Sequence, residues 1–207
     1  VDDNNYGEKN RPQYHFSTKN GFINDPNGMV YHDGEYHLFY QHNPYGTNSD
    51  NKHWGHTVSR DLLHWEELAP ALEPDDMGQM WSGSAVVDHN NSAGFNVDGK
   101  PAIIAFYTAR AKGSQVQCLA YSVDNGRTFT KYEGNPILQF TGGLEGVGHH
   151  AYFKDKNGRD RIAFHSHCEP GKIHPRKIHI GKYGFKKVKG GPDRLVIEED
   201  FITPVMK

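Results

Sequence analysis

One hairpin unit recurs along this chain, and it restricts the possible folds more than any other feature. Residues 32–41 read HDGEYHLFYQ, residues 97–108 read VDGKPAIIAFYT, and residues 156–167 read KNGRDRIAFHSH. Each is an Asp-Gly or Asn-Gly turn followed by an alternating or apolar run, the signature of a β-hairpin. The turn glycines Gly34, Gly99 and Gly158 are spaced by 65 and then 59 residues. A second strand-like run precedes each turn: GMVYH, SGSAVVD and GHHAYFKD. After the first two units come WGHTVSRDLLHW and CLAYSVDNGRTFTKY, which align Ser59, Asp61 and Trp65 with Ser122, Asp124 and Phe129. The third unit has KIHIGKYGF in that place. Unrelated hairpins in a β-sandwich would give the turns but not the matched order of inner strand, turn and outer strand. The expected class is therefore all-β, built of propeller-type blades of four antiparallel strands.

Composition agrees and narrows the partners. The 207 residues include 23 Gly, 11 Pro and an aromatic set of 3 Trp, 11 Tyr and 11 Phe, a mixture that favours short strands and tight turns over helices. A net charge of -2 with no basic stripe argues against nucleic acid, and the short apolar runs argue against a membrane. Cys118 and Cys168 read as two separate buried thiols. The first residue is Val, which reads as a processed chain that has lost a signal peptide, so the expected location is secreted or periplasmic.

In a propeller the innermost strands converge on a central channel. Three stretches stand at such strand entrances: Asn24-Asp25-Pro26-Asn27-Gly28, Trp81-Ser82-Gly83-Ser84, and the run from Glu145 to His150. A carboxylate in a rigid Pro-Gly turn would be aimed into a cavity that all three share. Taken alone, Asp25 before Pro could equally be an Asx-turn residue.

The stretches RPQYHFSTKNGFINDPNG, YHLFYQHNPYG, HWGHTVSRDLLHWEELAPAL, WSGSAVVD, YTA and AYSVDNGRTFTKYEGNPIL, taken in order, carry a resemblance. Residues 14–138 closely resemble the catalytic propeller of glycoside hydrolase family 32, the invertases, levanases, inulinases and fructanases. The resemblance implies a five-bladed fold, here short of blades, and β-fructoside hydrolysis by a retaining double displacement. It implies Asp25 as catalytic nucleophile and Asn24, Gln41, Trp54, Trp81 and Ser82 as substrate-binding residues. It implies no cofactor, and its partner is an oligosaccharide or polysaccharide. Such chemistry needs an ionised carboxylate for attack and a protonated group about 5–5.5 Å away to protonate the leaving oxygen.

The chain departs from the family where that second group should be. The family's R-D-P motif is absent, since the Arg-Asp at 60–61 is followed by Leu62, and its E-C motif is absent, since Cys168 precedes Glu169. Residues 141–185, with GVGHHAYFKDKNGRDRIAFHSH and GKIHPRKIHI, look more like the last blade of glycoside hydrolase family 43. That likeness would put His149 near the channel centre. Glu145, between glycines, is the candidate acid, with Glu169 weaker and a loop carboxylate in water the alternative. His165 and His167 share a strand face, but no further ligand joins them, so no metal is assigned. The chain is expected to be one propeller-type catalytic domain over residues 1–207, without a C-terminal β-sandwich, either incomplete or closed by association into a homo-oligomer, because open sheet edges invite pairing. The rival readings are a non-catalytic carbohydrate-binding propeller and a family 43-like arabinosidase or xylosidase.

Overall fold

The computed structural model describes residues 6–111, 114–137, 143–189 and 193–205. Strands account for the regular structure. The first sheet holds β1 (Phe22–His32), β2 (Glu35–Asn43), β3 (His53–Ser59) and β4 (Trp65–Glu67) in sequential antiparallel order. The second holds β5 (Gln79–Asp88), β6 (Ala102–Ala111), β7 (Ser114–Ser122) and β8 (Thr130–Lys131) in the same order. These are two four-stranded blades of the expected kind. The repeated Ser and Asp positions become one repeated loop. Ser59 Oγ donates to Asp61 Oδ1 at 3.1 Å and accepts from Leu62 N at 2.8 Å. Ser122 Oγ donates to Asp124 Oδ1 at 2.7 Å and accepts from Gly126 N at 2.9 Å.

The third unit differs from the expected four strands. β9 (Gly148–Lys154), β10 (Asp160–Ser166) and β11 (Lys177–Gly181) form a three-stranded sheet. β12 (Tyr183–Lys186) turns away after Lys182 and pairs instead with β13 (Arg194–Ile197). Packing explains the departure. Tyr183 and Ile197 from that hairpin, with Leu144 and Phe201, pack in one cluster with Ile162 and Phe164. The turns differ too. Asp33-Gly34 and Asp98-Gly99 both have positive φ at each residue, the two-residue hairpin geometry that matches strand twist. The third turn is longer, closed by Gly158 N to Asp155 O at 2.8 Å and Asp155 N to Arg159 O at 2.9 Å.

The first two blades share one core. Val30, Phe39 and Trp54 from the first sheet pack with Met80, Ile103, Ala105, Tyr107 and Cys118 from the second. The two backbones meet closely at Gly28, where a Cβ would lie 2.6 Å from Ala85 N. No larger residue fits there, which accounts for the glycine that ends the Asn24–Gly28 stretch. At the rim, Glu35 accepts from Arg127 at 2.6 Å and from Asn125 at 3.2 Å, tying the first hairpin to the β7–β8 loop. Cys118 and Cys168 are buried free thiols.

Candidate active site

Each innermost strand carries an irregularity at the same height. In β1, Ile23 pairs with His42 and Pro26 with Tyr40, so Asn24 and Asp25 face the single residue Gln41. In β5, Trp81 pairs with Thr108 and Gly83 with Tyr107, which leaves Ser82 without a counterpart. In β9, Gly148 pairs with His165 and Ala151 with Ala163, so residues 149 and 150 oppose Phe164 alone. Such bulges break the strict alternation of a strand and re-aim a side chain. Here they send Asp25, Ser82 and His149 into one cavity of about 370 Å³, also lined by Ser84, Phe106, Thr108 and Gln117. That volume lies within the roughly 300–1,000 Å³ range of small-ligand clefts.

Asp25 is exposed to this cavity and held from two sides. Ser82 Oγ donates to Asp25 Oδ2 at 2.8 Å, and Asn24 Nδ2 donates to Oδ1 at 3.2 Å. Lys52, nearby on the same rim, adds a favourable positive charge to Asp25, while its own ammonium is pulled below the usual lysine range by burial. The carboxylate is thus fixed in orientation with open space in front of it. On the opposite wall Gln117 Nε2 donates to Thr108 Oγ1 at 3.0 Å. Hydroxyls, an amide and an aromatic face are suitable groups for binding a sugar.

The residues implied as substrate-binding divide between surface and interior. Asn24 and Ser82 stand beside Asp25. Gln41 and Trp54 are buried at 1% and 0% exposure, so neither side chain reaches the cavity. Gln41 Nε2 donates to Met80 O at 2.9 Å, and Trp54 Nε1 donates to Trp81 O at 2.9 Å. Both therefore clamp the backbone just ahead of Ser82. Asn27 completes the clamp from the bulge in β1. With its amide oxygen turned inward, it accepts from Gln41 Nε2 at 2.9 Å and Trp54 Nε1 at 3.0 Å. Trp81 is half-buried, with the Arg110 guanidinium 4.6 Å from its ring centroid.

Glu145 is not brought together with Asp25. Its Oε2 accepts from Gly171 N at 3.0 Å and its carbonyl accepts from His167 N at 2.8 Å, so it braces the loop after β10. It is not among the described residues lining the cavity. Glu169 forms a bridge to Lys172 in that same loop. His149 does reach the cavity, on a backbone of φ 53° that side-chain-bearing residues seldom adopt. Its ring lies 5.7 Å from that of His165, whose imidazole burial holds down to about 4. Among the described residues, no set of three His, Cys, Asp or Glu side chains is arranged to hold a metal ion. Sequence reasoning missed Thr108 and Gln117. They come from the middle of the second hairpin, and only their pairing opposite each other across β6 and β7 would have suggested a shared wall.

Residues 15–154 match the family described as glycosyl hydrolases family 32 N-terminal domain. The levanase of Bacillus subtilis (strain 168) is 54% identical over 138 residues, covering 67% of this chain and 20% of that protein. The extracellular exo-inulinase of Aspergillus awamori is 43% identical over 153 residues, covering 65% of this chain and 28% of its own length. Among solved structures, a fructofuranosidase from Schwanniomyces occidentalis complexed with fructose superposes with a TM-score of 0.71 at 33% identity, over 93% of this chain and 36% of that one. The chain spans only about a fifth to a third of these relatives. Sequence, blade order and the bulge-borne carboxylate all agree, and the chain belongs to glycosyl hydrolase family 32, through the family's N-terminal domain.

Proposed function

We propose that this chain carries the fructosyl site of a β-fructoside hydrolase acting on saccharides of the sucrose, inulin or levan type, with Asp25 as the nucleophile of a retaining double displacement. The observation that carries this reading is the Asp25 carboxylate, fixed by Ser82 and Asn24 at the edge of a cavity of sugar size. Attack by a carboxylate on an anomeric carbon needs such fixed aim, because misalignment costs rate steeply. The levanase, exo-inulinase and invertase among the similar proteins support the substrate class. The word "extracellular" in one relative's name supports a secreted location. The decisive variant is Asp25→Asn, which keeps shape and removes the attacking charge. Reducing sugar released from sucrose, inulin and levan should fall by several orders of magnitude with folding unchanged. Wild-type-like release by this variant would sink the assignment.

One observation favours a second reading. Asp25 is the only carboxylate among the described residues lining the cavity. A non-catalytic fructoside-binding propeller would need none beyond it. That role predicts saccharide binding without turnover by the wild-type chain. We also propose that copies of the chain associate through open sheet edges; β1 is an edge strand of the first sheet, and Met29 and Tyr31 on it are exposed at 56% and 59%.

A further inference from the structure

The wall of the Asp25 cavity continues beyond the residues that line it. Phe106 and Thr108 on β6 both face the cavity. Alternate residues of a strand share one face, and pairing runs without a break from Thr108 to Arg110 on both sides of β6. Arg110 therefore carries the same row one step further, about 7 Å along the strand from Thr108. Ala109, between them, is fully buried on the other face with its partner Met80, as that alternation requires. Across β7 the row is matched. Gln117 stands opposite Thr108 and donates to its hydroxyl, and Gln115 stands opposite Arg110. On the other side of β6, Arg110 pairs with Gln79, the first residue of β5, so the row leads out at the entrance of an innermost strand.

The guanidinium on this row is aimed. It lies 4.6 Å from the ring centroid of Trp81, the residue opposite Thr108 on β5. Such a stack holds the plane of the group while leaving its N–H donors at the edge. Arg110 is exposed, and no acceptor among the described residues takes those donors.

We propose that Arg110 and Gln115 form an adjoining subsite for the second sugar unit of the substrate, with Arg110 the residue that makes the site prefer an oligosaccharide to a single fructose. The inference rests on the fructosyl reading above. A saccharide whose terminal unit lies beside Asp25 lays its next unit along the row that leads out of the cavity. The guanidinium offers several N–H donors in one plane to the hydroxyls of that unit, and the Gln115 amide adds both a donor and an acceptor. Because the stack on Trp81 already fixes the plane, little freedom is lost when the hydroxyls meet it. The unit is an uncharged one, since Gln115 and Gln117 are neutral and the Asp25 carboxylate shares the cavity.

The test measures binding and does not depend on turnover. Calorimetry compares fructose with the β-linked fructose disaccharides of inulin and levan, in the full chain carrying Asp25→Asn so that the disaccharides stay intact. In that background Arg110→Ala should weaken disaccharide binding roughly 10-fold and Gln115→Ala roughly 3-fold, while fructose binding changes less than about 2-fold. Arg110→Lys keeps the charge and loses the planar fork, so it should resemble Arg110→Ala more than the parent. Equal losses for fructose and disaccharide, or no loss for either, would overturn the subsite. Inorganic phosphate at millimolar concentration should not compete with the disaccharide. Competition that disappears in Arg110→Ala would make this an anion site and overturn the sugar assignment. A chain that binds fructose in neither its wild-type nor its Asp25→Asn form overturns the fructosyl reading, and this subsite with it.

Discussion

The first two blades and the third sheet are made from the same hairpin unit but are held together differently. Blades one and two merge in one core, with Trp54 and Phe39 packed against Met80, Tyr107 and Ile103, and with Gln41 and Trp54 bonded across the seam to Met80 O and Trp81 O. The third sheet keeps a separate, smaller core of Val147, Ile162, Phe164 and Ile197, covered by its own hairpin. The match to the family also ends at Lys154, the last residue of β9. A repeat in sequence therefore does not produce equal coupling. Coupling comes from side chains long enough to cross between sheets, and the third unit spends its large residues on itself. His149 is the exception, because it reaches the site that the other two blades form.

The largest expected effects come from removing one core at a time. Trp54→Ala and Phe164→Ala should each cost about 3–5 kcal/mol. Hydrogen exchange should place the first loss across β1 to β7 and the second within β9 to β13. If Phe164→Ala exposed β2 and β6 as much as β10, the separation of the two cores would be wrong.

A smaller effect concerns acid. His56 and His37 form a buried pair at 3.1 Å between Nε2 and Nδ1, close to Gly126. Burial, with His37 and Arg127 nearby, holds the His56 imidazole down to about 3. The folded state keeps it neutral while the unfolded chain takes up a proton below about pH 6.5. The stability it contributes is therefore complete above that value and is lost as pH falls towards 3. At pH 5 the loss is about 2 kcal/mol. His179 is also held low by burial, between Ser166 and Thr203, so acid loosens the third sheet as well. His56→Phe separates the two. Denaturant midpoints from pH 7 to 5 should fall less steeply for the first two blades and unchanged for the third sheet. An unaltered slope in the first two blades would remove the histidine pair as their acid-sensitive element.

The smallest effect on folding, and the clearest on mass, concerns the β1 edge of blade one. Tyr31 and Tyr36 form a tilted ring pair there, centroids 4.8 Å apart, with Met29 exposed on the same strand. Tyr31→Lys should change stability by less than about 0.5 kcal/mol. Light scattering should then drop from a multiple of 23.4 kDa to the single-chain mass. Wild-type protein already at that mass would place no second copy at this edge.

The local units were legible in the sequence because their causes are local. Asp-Gly turns set the hairpins, period-two runs set the strands, and the Ser-x-Asp loops repeated as written. Asp25 was legible only in part: it was expected in a rigid turn ahead of the strand, and the structure places it inside β1, on the bulge opposite Gln41. The roles of its neighbours depended on register, which local sequence does not encode. A bulge of one residue decides whether Asn27 points outward or into the core, and whether Ser82 or Gly83 meets Asp25. Burial of Gln41 and Trp54 required a second sheet to close over them, and the turning of Glu145 towards Gly171 required the loop after β10. Sequence by itself determined the first two blades' strands and turns and singled out the Asp25 carboxylate, since each follows from neighbouring residues. Only the tertiary structure decided which side chains share the cavity with Asp25, because that is set by how three sheets, distant along the chain, bulge towards one point.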